Sequence, residues 1–256
     1  MSDIQTERAG AILRVTVNRP AKKNAMTSAM YVDLAKAFKD AAADDGIHVV
    51  LWDAAGDSFS AGNDIEDFLK NPPGQGESPQ ALLMKALLGL DKPVVAAVQG
   101  AAVGGGTTLL TLCDVVIAGE SAKFKTPFVD LGLVPEFGSS WSLPARLGHL
   151  RAAELILLGA TVDARRAEAI GLVSRVVPDA SLAASAMEAA LALAQKAAGA
   201  VQTCKRLLTR SAREATEQAF RSEVEEFSKR VRSDEVRNIF TAFLEKHAPR
   251  PRERQA

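Results

Sequence analysis

The sequence predicts an α/β fold that passes into an all-helical C-terminal region, on three observations. Short buried-strand patterns alternate with amphipathic helix patterns up to about residue 198. Turns rich in Gly, Pro, Asn and Asp separate them. From about residue 200 strand signals vanish, and apolar residues recur at helical spacing only. The expected division is a core over residues 1–198 that carries the site, and a helical oligomerisation region over 199–256.

The elements follow in order. Residues 11–17 alternate, with Leu13, Val15 and Val17 on one face, so they read as a half-buried strand ended by Pro20. Thr27 can cap a helix whose buried stripe is Met30, Leu34, Phe38 and Ala41. Gly46 stops it, and Ile47–Trp52 reads as a buried strand. Residues 57–76 carry loop composition. Ser78-Pro79 starts the next helix, with Leu82, Leu83, Ala86, Leu87 and Leu90 inward. Pro93–Val98 is a strand, 100–106 a glycine-rich turn, Thr107–Leu112 a short helix and Asp114–Ala118 a strand. Helices follow near 139–147, 150–158 and 163–169, the last with Gly171 as its C-cap glycine. Leu172–Val177 is a strand ended by Pro178, and 179–198 is an alanine-rich helix. In the C-terminal region Phe220, Val224, Phe227 and Val231 form a stripe, which Val236, Ile239, Phe240, Phe243 and Leu244 continue. That stripe either packs on another subunit or folds back on its own core.

Bulk properties exclude several classes. At 256 residues a folded chain buries roughly 75% of its unfolded surface, which suits one sizeable core. Lys+Arg and Asp+Glu both number 31, and this balance argues against nucleic acid as the main partner. Two isolated cysteines, Cys113 and Cys204, point to a reducing compartment. The spacing of His and Cys offers no metal site. No apolar run is long enough for a bilayer, and neither a signal peptide nor a C-terminal address is evident. The expectation is a cytoplasmic protein with no membrane partner.

Three stretches could carry chemistry. Ser60–Ile65 is a small-residue turn directly after Phe59, and Gly104–Gly106 stands at the mouth of a helix. Glycines let a ligand approach the backbone, and a helix start leaves N–H groups unpaired. One N–H from each turn could grip an oxyanion, although such turns also occur merely as turns. The third stretch is Thr126–Ser140, where Glu136 stands between Pro135 and Phe137. It is either a solvated loop glutamate or a general base whose proton affinity is raised by apolar neighbours. His48, His149 and His247 offer poorer candidates, and no nucleophile elbow is present.

Together these stretches resemble the crotonase superfamily, the enoyl-CoA hydratase/isomerase family. The resemblance rests on Asn18-Arg19-Pro20 with Asn24-Ala25-Met26, on Ser60–Ile65, and on Lys92–Val98 running into Gly104-Gly105-Gly106. Cys113-Asp114 and Ala169–Val173 add to it, and the order holds from about residue 12 to 247. It implies a ClpP/crotonase-like spiral of ββα units with a C-terminal helical trimerisation region, assembled as a homotrimer or hexamer. It implies an acyl-CoA substrate, with coenzyme A entering as part of that substrate and no separate cofactor or metal. Matching motifs make Asn63 and Gly105 the oxyanion donors, with Ala61, Gly62, Asp64 and Ile65 around them. Lys22, Lys23 and Asn24 match the loop that approaches the CoA nucleotide, and Phe243 and Lys246 a C-terminal pair that reaches a neighbour's CoA.

The two glutamates of typical hydratases correspond to Thr108 and Phe128 here. Gly62-Asn63-Asp64, Thr126-Pro127-Phe128 and Pro135-Glu136 with Ser139-Ser140 are similar instead to the peroxisomal-type delta-3, delta-2-enoyl-CoA isomerases, whose catalytic glutamate matches Glu136. The resemblance thus implies an isomerase with one base. Another crotonase reaction and a non-catalytic acyl-CoA-binding module are the alternatives.

Overall fold

The computed structural model describes residues 2–70 and 77–247, without the side chains at 243, 244, 246 and 247. The chain opens with a hairpin, β1 (Ile4–Ala9) antiparallel to β2 (Ile12–Val17). Helix α1 (Ser28–Ala43) follows, then β3 (Val49–Ala54), α2 (Ile65–Lys70) and α3 (Pro79–Gly89). Next come β4 (Val94–Val98), β5 (Ala101–Val103), α4 (Gly105–Thr108), β6 (Val115–Gly119) and β7 (Lys123–Lys125). After them run α5 (Ser139–Leu147), α6 (His149–Leu157), β8 (Val162–Asp163), α7 (Ala164–Ala169), β9 (Arg175–Val177) and α8 (Leu182–Ala194). Two helices close the chain, α9 (Ala198–Val231) and α10 (Asp234–His247).

A six-stranded sheet has the order β1-β2-β3-β4-β6-β9, parallel beyond the first pair. A three-stranded sheet has the order β5-β7-β8. The repeat is strand, strand, helix: β4 and β6 join the large sheet, while β5 and β7 leave it at once for the small one. Ser60, bridged to Ala102, gives β3 the same short second arm.

The large sheet is buried on both faces, as parallel sheets are. Val94, Ala96 and Val98 of β4 face the main core with Trp52, Leu34 and Phe38, whereas Val95 and Ala97 face Leu182, Ala186 and Ala190 of α8. Helix α1 forms as expected: the Thr27 hydroxyl accepts the Met30 N–H, and Met30, Leu34, Phe38 and Ala41 are buried. Ser78 caps α3 in the same way.

The differences have local causes. Strand β1 buries only Ile4, so it lacks the alternation that marks β2. The loop composition of 57–76 conceals α2, whose start is capped by Asp64 accepting the Asp67 N–H at 3.0 Å. The turn at 100–106 contains β5, three residues long. Leu172 and Val173 turn into the core, so β9 begins at Arg175. Part of the C-terminal stripe folds back on its own chain. Phe220 joins the main core, and Phe227 and Phe240 meet Phe68 edge-on at ring distances of 5.7 and 6.1 Å. Val224 remains exposed. No helix among the described residues is long and apolar enough to cross a membrane.

A polar network, buried at Lys92 and Lys205, ties α9 to the sheet. Lys205 donates to the Asp114 carboxylate at 2.8 Å and to the Lys92 carbonyl at 2.9 Å. Asp114 also accepts the Val94 N–H at 2.8 Å. Lys92 donates to the carbonyls of Ala41 and Asp44, which closes the C-terminal end of α1. Lys205 is buried whereas Asp114 reaches solvent, so removing the ammonium loses the pair and the bond to the Lys92 carbonyl without stranding a buried charge. Lys205→Met is expected to destabilise the protein by about 1 kcal/mol, read as a lower midpoint in urea denaturation.

Candidate active site

The site forms where the two glycine turns meet the loop before α5. Residues 60–64 run beside Met26: the Met26 N–H donates to Gly62 O at 2.8 Å, and the Asp64 N–H donates to Met26 O at 2.9 Å. Peptide groups alternate along extended backbone, so the N–H of Asn63 faces the other way, away from Met26. Gly62 has φ +90°, and a Cβ there would lie 2.9 Å from the Val103 carbonyl oxygen. A side chain would therefore push this turn off β5.

Gly104, with φ +54°, leads into α4. The Gly105 N–H lies in the first turn of that helix, where donors have no intrahelical partner. A Cβ on Gly105 would stand 3.0 Å from Glu136 Oε1 and 3.2 Å from Tyr31 Oη. The glycine is what lets the carboxylate come so close to this backbone. Asn63, Gly105 and Glu136 border one cavity of about 620 Å³, together with Ala61, Gly62, Ile65 and Phe128.

Glu136 is 8% exposed. Asn63 Nδ2 donates to its Oε2 at 3.2 Å, and Asn63 Oδ1 accepts the Tyr31 hydroxyl at 2.7 Å. The phenol fixes which end of the amide is the donor, because only Oδ1 can accept from it. Burial holds the Tyr31 phenol well above its usual range, so Tyr31 remains a donor. Burial likewise pushes Glu136 up to about 7. The Asn63 amide and the Gly105 N–H pull it down, while the charge on Glu223 raises it further. A carboxylate near 7 can take a proton and return it at neutral pH.

The loop that presents Glu136 is sharply bent. Phe137 and Gly138 are both left-handed, at φ +59° and +70°. For an aromatic residue this conformation costs about 1–3 kcal/mol, and surrounding packing must hold it. The Phe137 ring stacks on Phe220 at 6.3 Å and meets Tyr31 at 5.8 Å. A second cavity of about 500 Å³ opens on the other side of Glu136, between α3 and α9, with Met84, Leu88, Phe220 and Phe227 in its walls.

The remaining expected residues separate into groups. Lys22 and Lys23 are exposed and paired with Glu66 at 3.8 Å and Asp57 at 2.5 Å. Asn24 is fully buried and borders neither cavity. Its amide donates to Ala55 O and Ser58 O and its oxygen accepts the Arg19 N–H, so its side chain braces the loop. Asp64 is similarly engaged, by Arg19 at 2.6 Å. Thr108 is fully buried inside α4 and lines neither cavity. The side chains of Phe243 and Lys246 lie outside the described residues.

Sequence reasoning missed Tyr31, Phe137 as a strained residue, and Glu223. Tyr31 had one signal: it is the single tyrosine of the chain and sits beside the buried stripe of α1, where a hydroxyl needs a partner. Glu223 had none, because its partners are 83 and 85 residues away.

Comparison with known proteins identifies the family. The enoyl-CoA hydratase/isomerase family model matches residues 7–254. Enoyl-CoA delta isomerase 2 of Rattus norvegicus is 34% identical over 241 residues, 92% of this chain; the chain spans 61% of that relative's length. The 2,3-dehydroadipyl-CoA hydratase of Escherichia coli is 32% identical over 250 residues, covering 97% of this chain and 98% of the relative. The crystal structure of an enoyl-CoA hydratase/isomerase from Pseudoalteromonas atlantica superimposes with a TM-score of 0.91 at 37% identity, over 97% of this chain and 99% of that one. With its family model, its relatives and its fold in agreement, the chain belongs to the enoyl-CoA hydratase/isomerase family and has the crotonase fold.

Proposed function

We propose that this protein is an enoyl-CoA delta isomerase that moves a 3-enoyl-CoA double bond to the 2-trans position. The observation that carries the reading is Glu136: one buried carboxylate, oriented by Asn63, beside the Gly105 backbone. The Glu136 carboxylate takes a proton from C2 of the substrate. The electrons of the C2–H bond pass into a dienolate whose oxygen is held by the N–H groups of Asn63 and Gly105. Glutamic acid 136 then gives the proton to C4, and the double bond comes to rest between C2 and C3. Nothing is added or lost, so one base suffices.

Removing one oxyanion donor typically costs about 2.7–4 kcal/mol of transition-state stabilisation, so the two backbone groups matter as much as the base. The apolar walls of the second cavity support its use for the acyl chain beyond the reacting carbons. Phe128, buried at the first cavity, supports exclusion of water. A hydratase reading has its own support in the Escherichia coli relative. Thr108 and Phe128, at the two hydratase glutamate positions, weigh against it. Formation of 3-hydroxybutyryl-CoA from crotonyl-CoA, without isomerisation of 3-enoyl-CoA, would decide for hydration.

The exposed leucines Leu150, Leu157, Leu158, Leu207 and Leu208 support assembly with further copies. Light scattering is expected to give a mass of three or six chains of 27.1 kDa; a single-chain mass would end the oligomer reading.

Glu136→Gln is expected to abolish conversion of 3-enoyl-CoA while acyl-CoA binding by calorimetry stays near wild type. Undiminished turnover would remove Glu136 from its role. The same variant tests the raised proton affinity. The group's folded value of about 7 lies above its ordinary 4.5, so the native state loses stability as pH rises from 4.5 to 7. Glu136→Gln is therefore expected to raise the melting temperature at pH 8, by up to about 3 kcal/mol of stability, and to leave it nearly unchanged at pH 4.5.

A further inference from the structure

Glu223 shares with Glu136 the cavity between α3 and α9, and does not line the cavity bordered by Asn63 and Gly105. It is 5% exposed, on α9, eighty-seven residues after Glu136. Its Oε2 accepts the Gly138 N–H at 2.7 Å and its Oε1 accepts the Ser140 N–H at 2.7 Å. These are donors at the start of α5, whose N-cap, Gly138, has no side chain to offer. Glu223 therefore caps α5 from another helix, with its charge at the favourable end of the dipole.

The first of these bonds grips the loop one residue beyond Phe137, and the second three residues beyond it. Gly138 presses on α9 so closely that a Cβ would lie 2.5 Å from Thr216 Cγ2 and 2.8 Å from the Thr216 carbonyl oxygen. Phe137 stacks on Phe220. Thr216, Phe220 and Glu223 thus hold the left-handed pair at 137–138 from one helix. Glu136 and Glu223 also border the same cavity between α3 and α9.

We propose that Glu223 is a positioning residue for Glu136: it pins the loop that carries the base and sets a second negative charge behind it. The proposal rests on the isomerase reading for its kinetic consequence, though not for its electrostatic one. Like charges close together favour protonation of one of them, and repulsion from Glu223 is among the causes that raise Glu136.

The other groups around the base do not substitute for it. Tyr31 on α1 and Asn63 in the first turn are neutral donors in this network. In the second cavity Lys85 on α3 pairs with Glu77, and Arg221 on α9 pairs with Glu217. In the first cavity Lys125 pairs with Asp130 at 3.1 Å. Each of these charges is matched by an opposite neighbour, whereas Glu223 is held by the backbone N–H groups of Gly138 and Ser140.

The test separates charge from reach. Glu223→Gln keeps the shape but removes the charge and, because an amide nitrogen cannot accept, one of the two backbone bonds; Glu223→Asp keeps the charge and both acceptors and shortens the arm. Titration of the Glu136 carboxyl is followed by carbon-13 NMR of glutamate-labelled protein, with its signal assigned by its loss in Glu136→Gln. In Glu223→Gln the midpoint is expected to fall by about half a pH unit or more, and the acid limb of kcat/KM for 3-enoyl-CoA to move down with it. In Glu223→Asp the midpoint is expected to hold near the wild-type value while kcat falls about tenfold or more at unchanged KM. An unmoved midpoint in Glu223→Gln overturns the electrostatic half, and wild-type kcat in Glu223→Asp overturns the positioning half. Glu223→Asp also carries the test if Glu223→Gln fails to fold. A wild-type protein that converts no 3-enoyl-CoA sinks the isomerase reading alone, because the titration still reports on Glu223.

Discussion

The site depends on one costly arrangement: a carboxylate taken out of water and held against a backbone turn. An isolated buried carboxylate would simply stay protonated. Here the Asn63 amide donates to Glu136, and the Tyr31 hydroxyl keeps that amide from flipping. The partial compensation leaves Glu136 near 7, between an ordinary surface glutamate and a permanently neutral acid. The three groups come from α1, from the turn after β3 and from the loop before α5. The relative placement of those segments is therefore what the rest of the fold has to secure.

The two sheets do most of that work. Each repeat sends its first strand into the large sheet and its second into the small one, so the turn between or after them lies at the same end of the core. The bridges Met26 to Asn63 and Ser60 to Ala102 then lock the first glycine turn against both α1 and β5. Helix α9 closes the other side. Lys205 anchors it to Asp114 under the large sheet, and Phe220 and Glu223 bring it onto the Glu136 loop. A helix whose apolar stripe left open whether it packs on another subunit or on its own core is thus a wall of the site.

What could be read from sequence had a local cause. The Thr27 cap and the stripe of α1 lie within one turn or one helical period, and the structure bears them out. The glycines at 62 and 105 could be recognised because backbone approach demands them. The short second strands could not: three residues, as in β5 and β7, establish no period. The links from Tyr31 to Asn63 and from Glu223 to Gly138 were equally hidden, since they join residues 32 and 85 positions apart. Asn24 shows the opposite failure. Its place in a familiar motif suggested a ligand contact, whereas its three hydrogen bonds hold the loop that carries Lys22 and Lys23.

The raised proton affinity of Glu136 suits the reaction proposed above. A base that only abstracts gains from high affinity, and an acid that only donates gains from low affinity. A single group that does both on one substrate is served by a value near the working pH, where neither direction is steeply uphill. Hydration makes a different demand, because water must be activated at one carbon while a proton reaches another, and two carboxylates can divide those tasks. Phe128 at the first cavity and Thr108 inside α4 cannot act as carboxylates. In the isomerase reading proposed above, Glu136 is the group that takes and returns the proton, and Asn63, Gly105 and Glu223 surround it.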